Sequence, residues 1–247
     1  MATNGSLQKV ALITGANKGI GLETARQLHA QGITVVLGSR DVARGEAAAK
    51  SIGTGETVRV LKLDVGNEAD RKNAASYIEK EFGRLDILVN NAAVLLDGRS
   101  GNATSTTSLS MLRETFEINF FAVVDLTQKL LPLIKKSNAG RIVNLSSILA
   151  SLTLHATHGS PIYDAKTFAY DASKAALNSF TIHLAHELRG TSIKVNSAHP
   201  GWVKTEMGGE GAQMEIEDGA RTSVELATLP SNGPTGAYLH MGEPLPW

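Results

Sequence analysis

The sequence has no cysteine, which excludes disulfides and thiolate metal sites and fits a reducing compartment without demanding one. It has no excess charge either: 24 basic and 24 acidic side chains cancel, with no basic run or interleaved aromatics. Nucleic acid and anionic membrane surfaces are therefore not expected partners. No stretch approaches the roughly 20 apolar residues a membrane helix needs, and residues 1–8 are polar with no apolar signal core. A cytoplasmic location is the default expectation. The sequence also lacks a His-Glu-x-x-His pattern, so His155, His158, His183 and His186 read as surface or core residues, and no metal site is expected. What is present is a chain of 247 residues, 42% hydrophobic and without a compositional break. That is enough to bury a full core, so one domain over residues 1–247 with a small-molecule ligand is expected.

Apolar runs and helical patterns alternate along the chain. Lys9 to Thr14 reads as a buried strand, Gly15-Ala-Asn-Lys-Gly-Ile-Gly21 as a turn, and Leu22 to His29 as a helix. Glycines in such a turn let a pyrophosphate approach the main chain, and the free N–H groups of a helix start favour it. Ile33 to Leu37 completes a β-α-β unit. The alternation continues through strands at Val58 to Leu63, Leu85 to Val89, Arg141 to Ser146, Ile193 to Ser197 and Gly236 to His240. Helices are expected over Val42 to Ser51, Ala69 to Phe82, Leu109 to Ile134 with a stop or kink near Pro132, through Tyr170 and Lys174 on to about Arg189, and over Ile216 to Leu229. This order predicts an α/β fold, a doubly wound Rossmann-type parallel sheet with helices on both faces. Three long loops can border one pocket at the carboxyl ends of the strands: Leu95 to Ser108, a segment near 148–168, and a mobile loop near 200–213.

Tyr170 and Lys174 stand four positions apart in a helix-forming stretch, which places both side chains on one face. A nearby positive charge favours a phenolate, so such a pair can pass a proton near neutral pH. None of the other three tyrosines has a lysine at that offset. At the end of the second strand, Leu37-Gly-Ser-Arg40 is neutral where users of NAD place an acid against the ribose hydroxyl. A guanidinium follows at Arg40, and Lys18 can converge from the glycine turn. Asp41 reads as the N-cap of the next helix. These charges favour a 2′-phosphate, hence NADP(H).

Thr14-Gly-x-x-x-Gly-Ile-Gly21, Asp64-Val65, Asn90-Asn-Ala92, Asn119, Ser146-Ser147, Tyr170-x-x-x-Lys174 and Pro200-Gly-x-Val-x-Thr205 stand in one order over nearly the whole chain. In that order the chain resembles the short-chain dehydrogenase/reductase family, and within it the NADPH-dependent carbonyl reductases. The resemblance implies reduction of a ketone or aldehyde to an alcohol by hydride transfer. Tyr170 would act as general acid, Ser147 would orient the carbonyl oxygen, and Lys174 would hold the nicotinamide ribose and lower the Tyr170 pKa. Asn119 would position a water that resupplies protons. The cofactor would lie against Gly15, Asn17, Lys18, Gly19, Ile20, Gly21, Arg40, Asp64, Val65, Asn90, Ala92, Tyr170, Lys174, Pro200, Gly201, Val203 and Thr205.

The chain departs from the family's pattern at two points. Ala93 stands where the family usually has glycine, and Ser147 lies 23 positions before Tyr170, about twice the common spacing. The surplus near 148–168 is read as a substrate-side insertion. Because that insertion is smaller than in monomeric carbonyl reductases, the expected assembly is a homodimer or homotetramer. Rival readings are an NAD-linked secondary alcohol dehydrogenase and a non-catalytic dinucleotide-sensing protein of the same fold. The substrate, its stereochemistry and the direction of reaction are not written in these motifs.

Overall fold

A computed structural model describes residues 8–53, 55–98 and 103–247. Residues 1–7 and the centre of the Leu95 to Ser108 loop lie outside the described residues. In chain order the structure runs β1 (Val10–Thr14), α1 (Gly19–Ala30), β2 (Thr34–Ser39), α2 (Val42–Ile52), β3 (Val58–Lys62), α3 (Glu68–Phe82) and β4 (Ile87–Asn90). Then come α4 (Leu109–Phe116), a π-turn (Glu117–Phe121), α5 (Ala122–Ile134), β5 (Arg141–Leu145), α6 (Leu152–Ala156), α7 (Phe168–Glu187), β6 (Lys194–Ala198), α8 (Ile216–Ala227), β7 (Tyr238–His240) and β8 (Glu243–Pro244). The strands form one sheet in the order β3-β2-β1-β4-β5-β6-β7-β8, parallel from β3 to β7. Strand order reverses between β1 and β4, which opens a crevice at their carboxyl ends.

Strands β1, β2, β4 and β5 are buried along their whole length because helices cover both faces of the sheet. Alternate residues serve opposite cores. Leu12, Val36, Leu88 and Ile142 pack with Leu126, Leu130 and Leu184. Ala11, Ile13, Leu37, Val89 and Val143 pack with Leu28, Ala48 and Val224 on the other side. The helix ends follow local chemistry. The Asn67 side chain accepts from the Ala69 and Asp70 N–H groups at 2.9 and 3.2 Å to start α3, and Gly83 at φ 70° ends it in the left-handed region.

Two expectations need correction. The long helix after β4 ends at Ile134, just past Pro132, but it is not continuous up to that point. It is interrupted at the π-turn, whose buried Asn119 reaches out of the helix for the backbone of Val94. Nor is the sheet parallel to its edge. The β7–β8 hairpin is antiparallel, closed by Met241 and Gly242 with φ of 49° and 83°, a two-residue turn of the kind that matches strand twist. The expected insertion holds a short helix, α6, that the sequence pattern did not indicate. Among the described residues no helix is long and apolar enough to cross a membrane.

Candidate active site

The carboxyl ends of β1, β4, β5 and β6 bring the predicted residues into one region. After β1 the chain turns at Gly15 and Gly19, with φ of 64° and 57°. Helix α1 then starts from Lys18, whose side chain makes no capping bond. The first N–H groups of α1 are thus open to an anion. A Cβ on Gly21 would lie 2.5 Å from the Asn91 amide and 2.6 Å from the Gly15 carbonyl, so only glycine fits there. Asn91, which the sequence reading passed over, buttresses the turn: its amide donates to the Thr14 carbonyl at 2.7 Å. The Thr14 hydroxyl accepts from the N–H groups of Asn91 and Ala92 at 3.0 and 2.9 Å.

At the end of β2, Arg40 is exposed and makes no hydrogen bond or ion pair with another described residue. Asp41 caps α2, accepting from the Arg44 N–H at 3.1 Å and pairing with its guanidinium at 3.4 Å. Asp64 closes its own turn by accepting from the Gly66 N–H at 3.0 Å, with Val65 half-buried beside it. The Asn90 amide donates to Asn144 at 2.9 Å and to Thr127 at 3.1 Å, so that side chain ties β4 to β5 and α5. After β6, Pro200 and Gly201 (φ 89°) lead to buried Val203, which bridges to Met214. The Thr205 methyl meets the glycine turn at Gly19. Lys18 pairs with Glu206 of the same post-β6 loop. Asn17 and Ile20 sit half-buried within the turn.

Tyr170 and Lys174 lie in the first two turns of α7, 7% and 2% exposed. The Lys174 ammonium stands 5.7 Å from the Tyr170 ring centroid and donates to the Leu145 carbonyl at 2.7 Å. The Ser147 side chain lies close enough to the Tyr170 phenol to favour its charged form. Ser146 is buried, and its hydroxyl has no partner among the described residues. Burial pushes the Tyr170 phenol up to about 12, eased downward by Ser147, and pushes the Lys174 ammonium down to about 7. Lys174 therefore does not depress Tyr170 here as expected: desolvation outweighs attraction, and a lysine that is itself half-neutral near pH 7 exerts little field.

Asn119, fully buried, accepts from the Val94 N–H at 2.8 Å and donates to the Val94 carbonyl at 2.9 Å and to Ser173 at 3.1 Å. Both its amide hydrogens are used. Asp97, for which the sequence carries no signal, accepts from the Ala169 and Tyr170 N–H groups at 2.7 and 3.4 Å and so caps the Tyr170 helix across the site. Asp171 accepts from the Thr167 N–H and hydroxyl at 2.9 and 2.7 Å and faces His155 at 3.3 Å, joining the insertion to α7. No spacing rule links an acid on one loop to a helix start more than 70 residues away.

A doubly wound sheet with an open glycine turn and a Ser147/Tyr170/Lys174 cluster at its carboxyl edge defines a dinucleotide-dependent oxidoreductase scaffold. The short chain dehydrogenase family model matches residues 9–216, and the chain belongs to the short-chain dehydrogenase/reductase family. It is 33% identical to short-chain dehydrogenase/reductase 1 of Saponaria officinalis, covering 97% of this chain and 96% of that one. It is 32% identical to carbonyl reductase [NADPH] 1 of Mus musculus, covering 98% and 99%. The NADPH-bound carbonyl reductase from chicken fatty liver superposes with a TM-score of 0.85 at 27% identity, covering 98% of this chain and 96% of that one.

Proposed function

We propose that the protein reduces a ketone or aldehyde to an alcohol with NADPH. The observation that carries this reading is the meeting of Ser147, Tyr170 and Lys174 at the carboxyl edge of the sheet that also bears the open α1 start. The residues present fit the cofactor: the open N–H groups suit its pyrophosphate, and the free Arg40 guanidinium suits a 2′-phosphate. When bound, the dinucleotide supplies the hydride.

The chain's own residues supply the rest. Ser147 donates to the carbonyl oxygen and holds it beside the Tyr170 hydroxyl. Tyr170 gives its proton to that oxygen as negative charge develops there, and donors fixed in advance stabilise such charge at no reorganisation cost. A phenol pushed up to about 12 stays protonated at neutral pH, which suits the reducing direction. Lys174 holds the nicotinamide ribose. Asn119, held in place by its bonds to Val94 and Ser173, positions the water that resupplies protons.

Preference for NADPH is supported by the Arg40 guanidinium and by Asp41, whose carboxylate is already engaged in capping α2 and pairing with Arg44. The Lys18–Glu206 pair is exposed to solvent, so a phosphate competes for that lysine against a weakly held partner. Arg40→Ala is expected to raise the KM for NADPH about tenfold or more, the worth of one charge-assisted contact, and to leave NADH kinetics nearly unchanged. Steady-state assays with both cofactors check this. Equal losses for the two would remove Arg40 from the phosphate site.

Leu109, Phe121 and Ile182 are exposed on α4, the π-turn and α7, which supports pairing of copies across these helices as a homodimer or homotetramer. Light scattering at micromolar concentration is expected to give a multiple of the chain mass, and a monomer mass alone would refute the pairing.

A further inference from the structure

The peptide unit that follows Ser147 is held at both ends by buried side chains outside the motif set. Its carbonyl oxygen accepts from the Tyr238 hydroxyl on β7. Its N–H, that of Ile148, donates to His199 Nδ1 at 3.1 Å, an atom that also receives the Gly201 N–H at 3.4 Å. Both holding residues are themselves braced. The Tyr238 ring stacks on Trp247 with centroids 5.4 Å apart and planes at 27°. The Trp247 carbonyl accepts from the Thr153 N–H at 3.0 Å and the Ser151 hydroxyl at 3.4 Å, so the same brace reaches into the insertion. The His199 ring lies 4.7 Å from that of His240, whose Nδ1–H donates to the His199 carbonyl at 2.9 Å.

The consequence falls on the Ser147 hydroxyl. Ser147 stands at φ −154° and ψ 150° between the end of β5 and the helical turn Ile148–Ala150. Its Oγ is steadied within the turn only by a 3.3 Å bond from the Leu149 N–H. Rotating the following peptide plane would change ψ at Ser147, relax that turn and swing the hydroxyl away from Tyr170. The Ser147 carbonyl also accepts from the Ala150 N–H at 2.8 Å, so the turn and the two side chains hold this plane together. Misplacement of a reacting group by about 1 Å can cost on the order of a hundredfold in rate.

We propose that Tyr238 and His199 are positioning residues for carbonyl reduction, acting through Ser147 by clamping the Ser147–Ile148 peptide. This rests on the reading of Ser147 as the group that orients the substrate carbonyl. The clamp requires His199 Nδ1 as an acceptor, with its proton on Nε2. Burial, reinforced by neighbouring His240, pushes the His199 pKa down to about 3, so the acceptor persists at any working pH.

Tyr238→Phe is made in the wild-type and in the Ser147→Ala backgrounds, and kcat and NADPH binding are measured in each. In the wild-type background kcat is expected to fall about tenfold, with NADPH affinity within about twofold of normal. In the Ser147→Ala background the same change is expected to alter kcat by less than about twofold, since the group it positions is gone. His199→Asn, which keeps an acceptor near the Nδ1 position, is expected to retain most activity, and His199→Leu to lose it as Tyr238→Phe does. If Tyr238→Phe fails to fold, the His199 pair carries the test. Amide hydrogen exchange at Ile148 reports the clamp independently of turnover, and is expected to quicken in both Tyr238→Phe and His199→Leu. Equal losses in the two backgrounds, or unchanged exchange at Ile148, would overturn the proposal. A wild-type enzyme inactive on every carbonyl, with Ile148 exchange still responding to the substitutions, would overturn the proposed function instead.

Discussion

Tyr170→Phe is expected to cut turnover by roughly a hundredfold to ten thousandfold, the usual worth of a positioned general acid, while NADPH binding stays near its wild-type strength. The substitution removes one oxygen from a ring that is already buried, so the packing of the α7 start against Asp97 and the sheet should survive. The loss is therefore expected in kcat and kcat/KM together, as for an interaction made only in the transition state. Tyr163, whose fourth following residue is Thr167 and whose ring meets His158 and Lys166 in the insertion, is the control and should tolerate the same change. A Tyr170→Phe enzyme that kept more than about a tenth of wild-type turnover would exclude Tyr170 as the proton donor.

Lys174→Met is expected to abolish carbonyl reduction and yet make the protein more stable at neutral pH. The ammonium is buried, and burial takes its pKa from 10.5 to about 7. Between these two values the unfolded chain binds a proton that the folded chain does not, so wild-type stability rises with pH across that window. At pH 7 and below the whole penalty is present, on the order of 4 kcal/mol, and it fades as pH approaches 10.5. Methionine keeps the volume without that penalty but leaves the Leu145 carbonyl without its 2.7 Å donor, an offset of roughly 1–3 kcal/mol. A net gain of about 1–3 kcal/mol at pH 7, shrinking to nothing or reversing by pH 10, is the expected result in denaturant titrations at the two pH values. A variant less stable than wild type at pH 7 would show that Lys174 is not a strained, desolvated cation. Stability given up at a working residue is a common cost of function.

What the sequence made legible was local. The glycine turn, the Tyr170/Lys174 pair and the capping role of Asp41 each depend on a few residues within one element, where spacing dictates geometry. The parallel sheet with helices on both faces followed from alternation, because buried parallel strands need crossover helices, whereas the order of its strands did not. What stayed hidden depends on contacts between distant segments. Asn91 reaches back 77 positions to Thr14, Asp97 reaches 72 forward to Ala169, and Tyr238 touches the Ser147 carbonyl 91 positions away. The π-turn escaped notice because it coincides with the bonds between Asn119 and Val94 rather than with any helix-breaking residue. The electrostatics misled for a related reason. Four-residue spacing put a positive group beside Tyr170, but only the fold revealed that the same burial drives both groups toward neutrality.

The most direct test of the account is loss of reduced-nicotinamide absorbance when the purified protein meets a panel of aldehydes, ketones, quinones and enones with either NADPH or NADH. The expected result is carbonyl-dependent oxidation of NADPH with at least one class, at a kcat/KM roughly a hundredfold above that with NADH, the worth of two charge-assisted phosphate contacts after ordering costs. Equal or better efficiency with NADH would contradict the cofactor assignment and make Asp41 the ribose ligand, and absence of turnover across the whole panel with both cofactors would contradict carbonyl reduction itself.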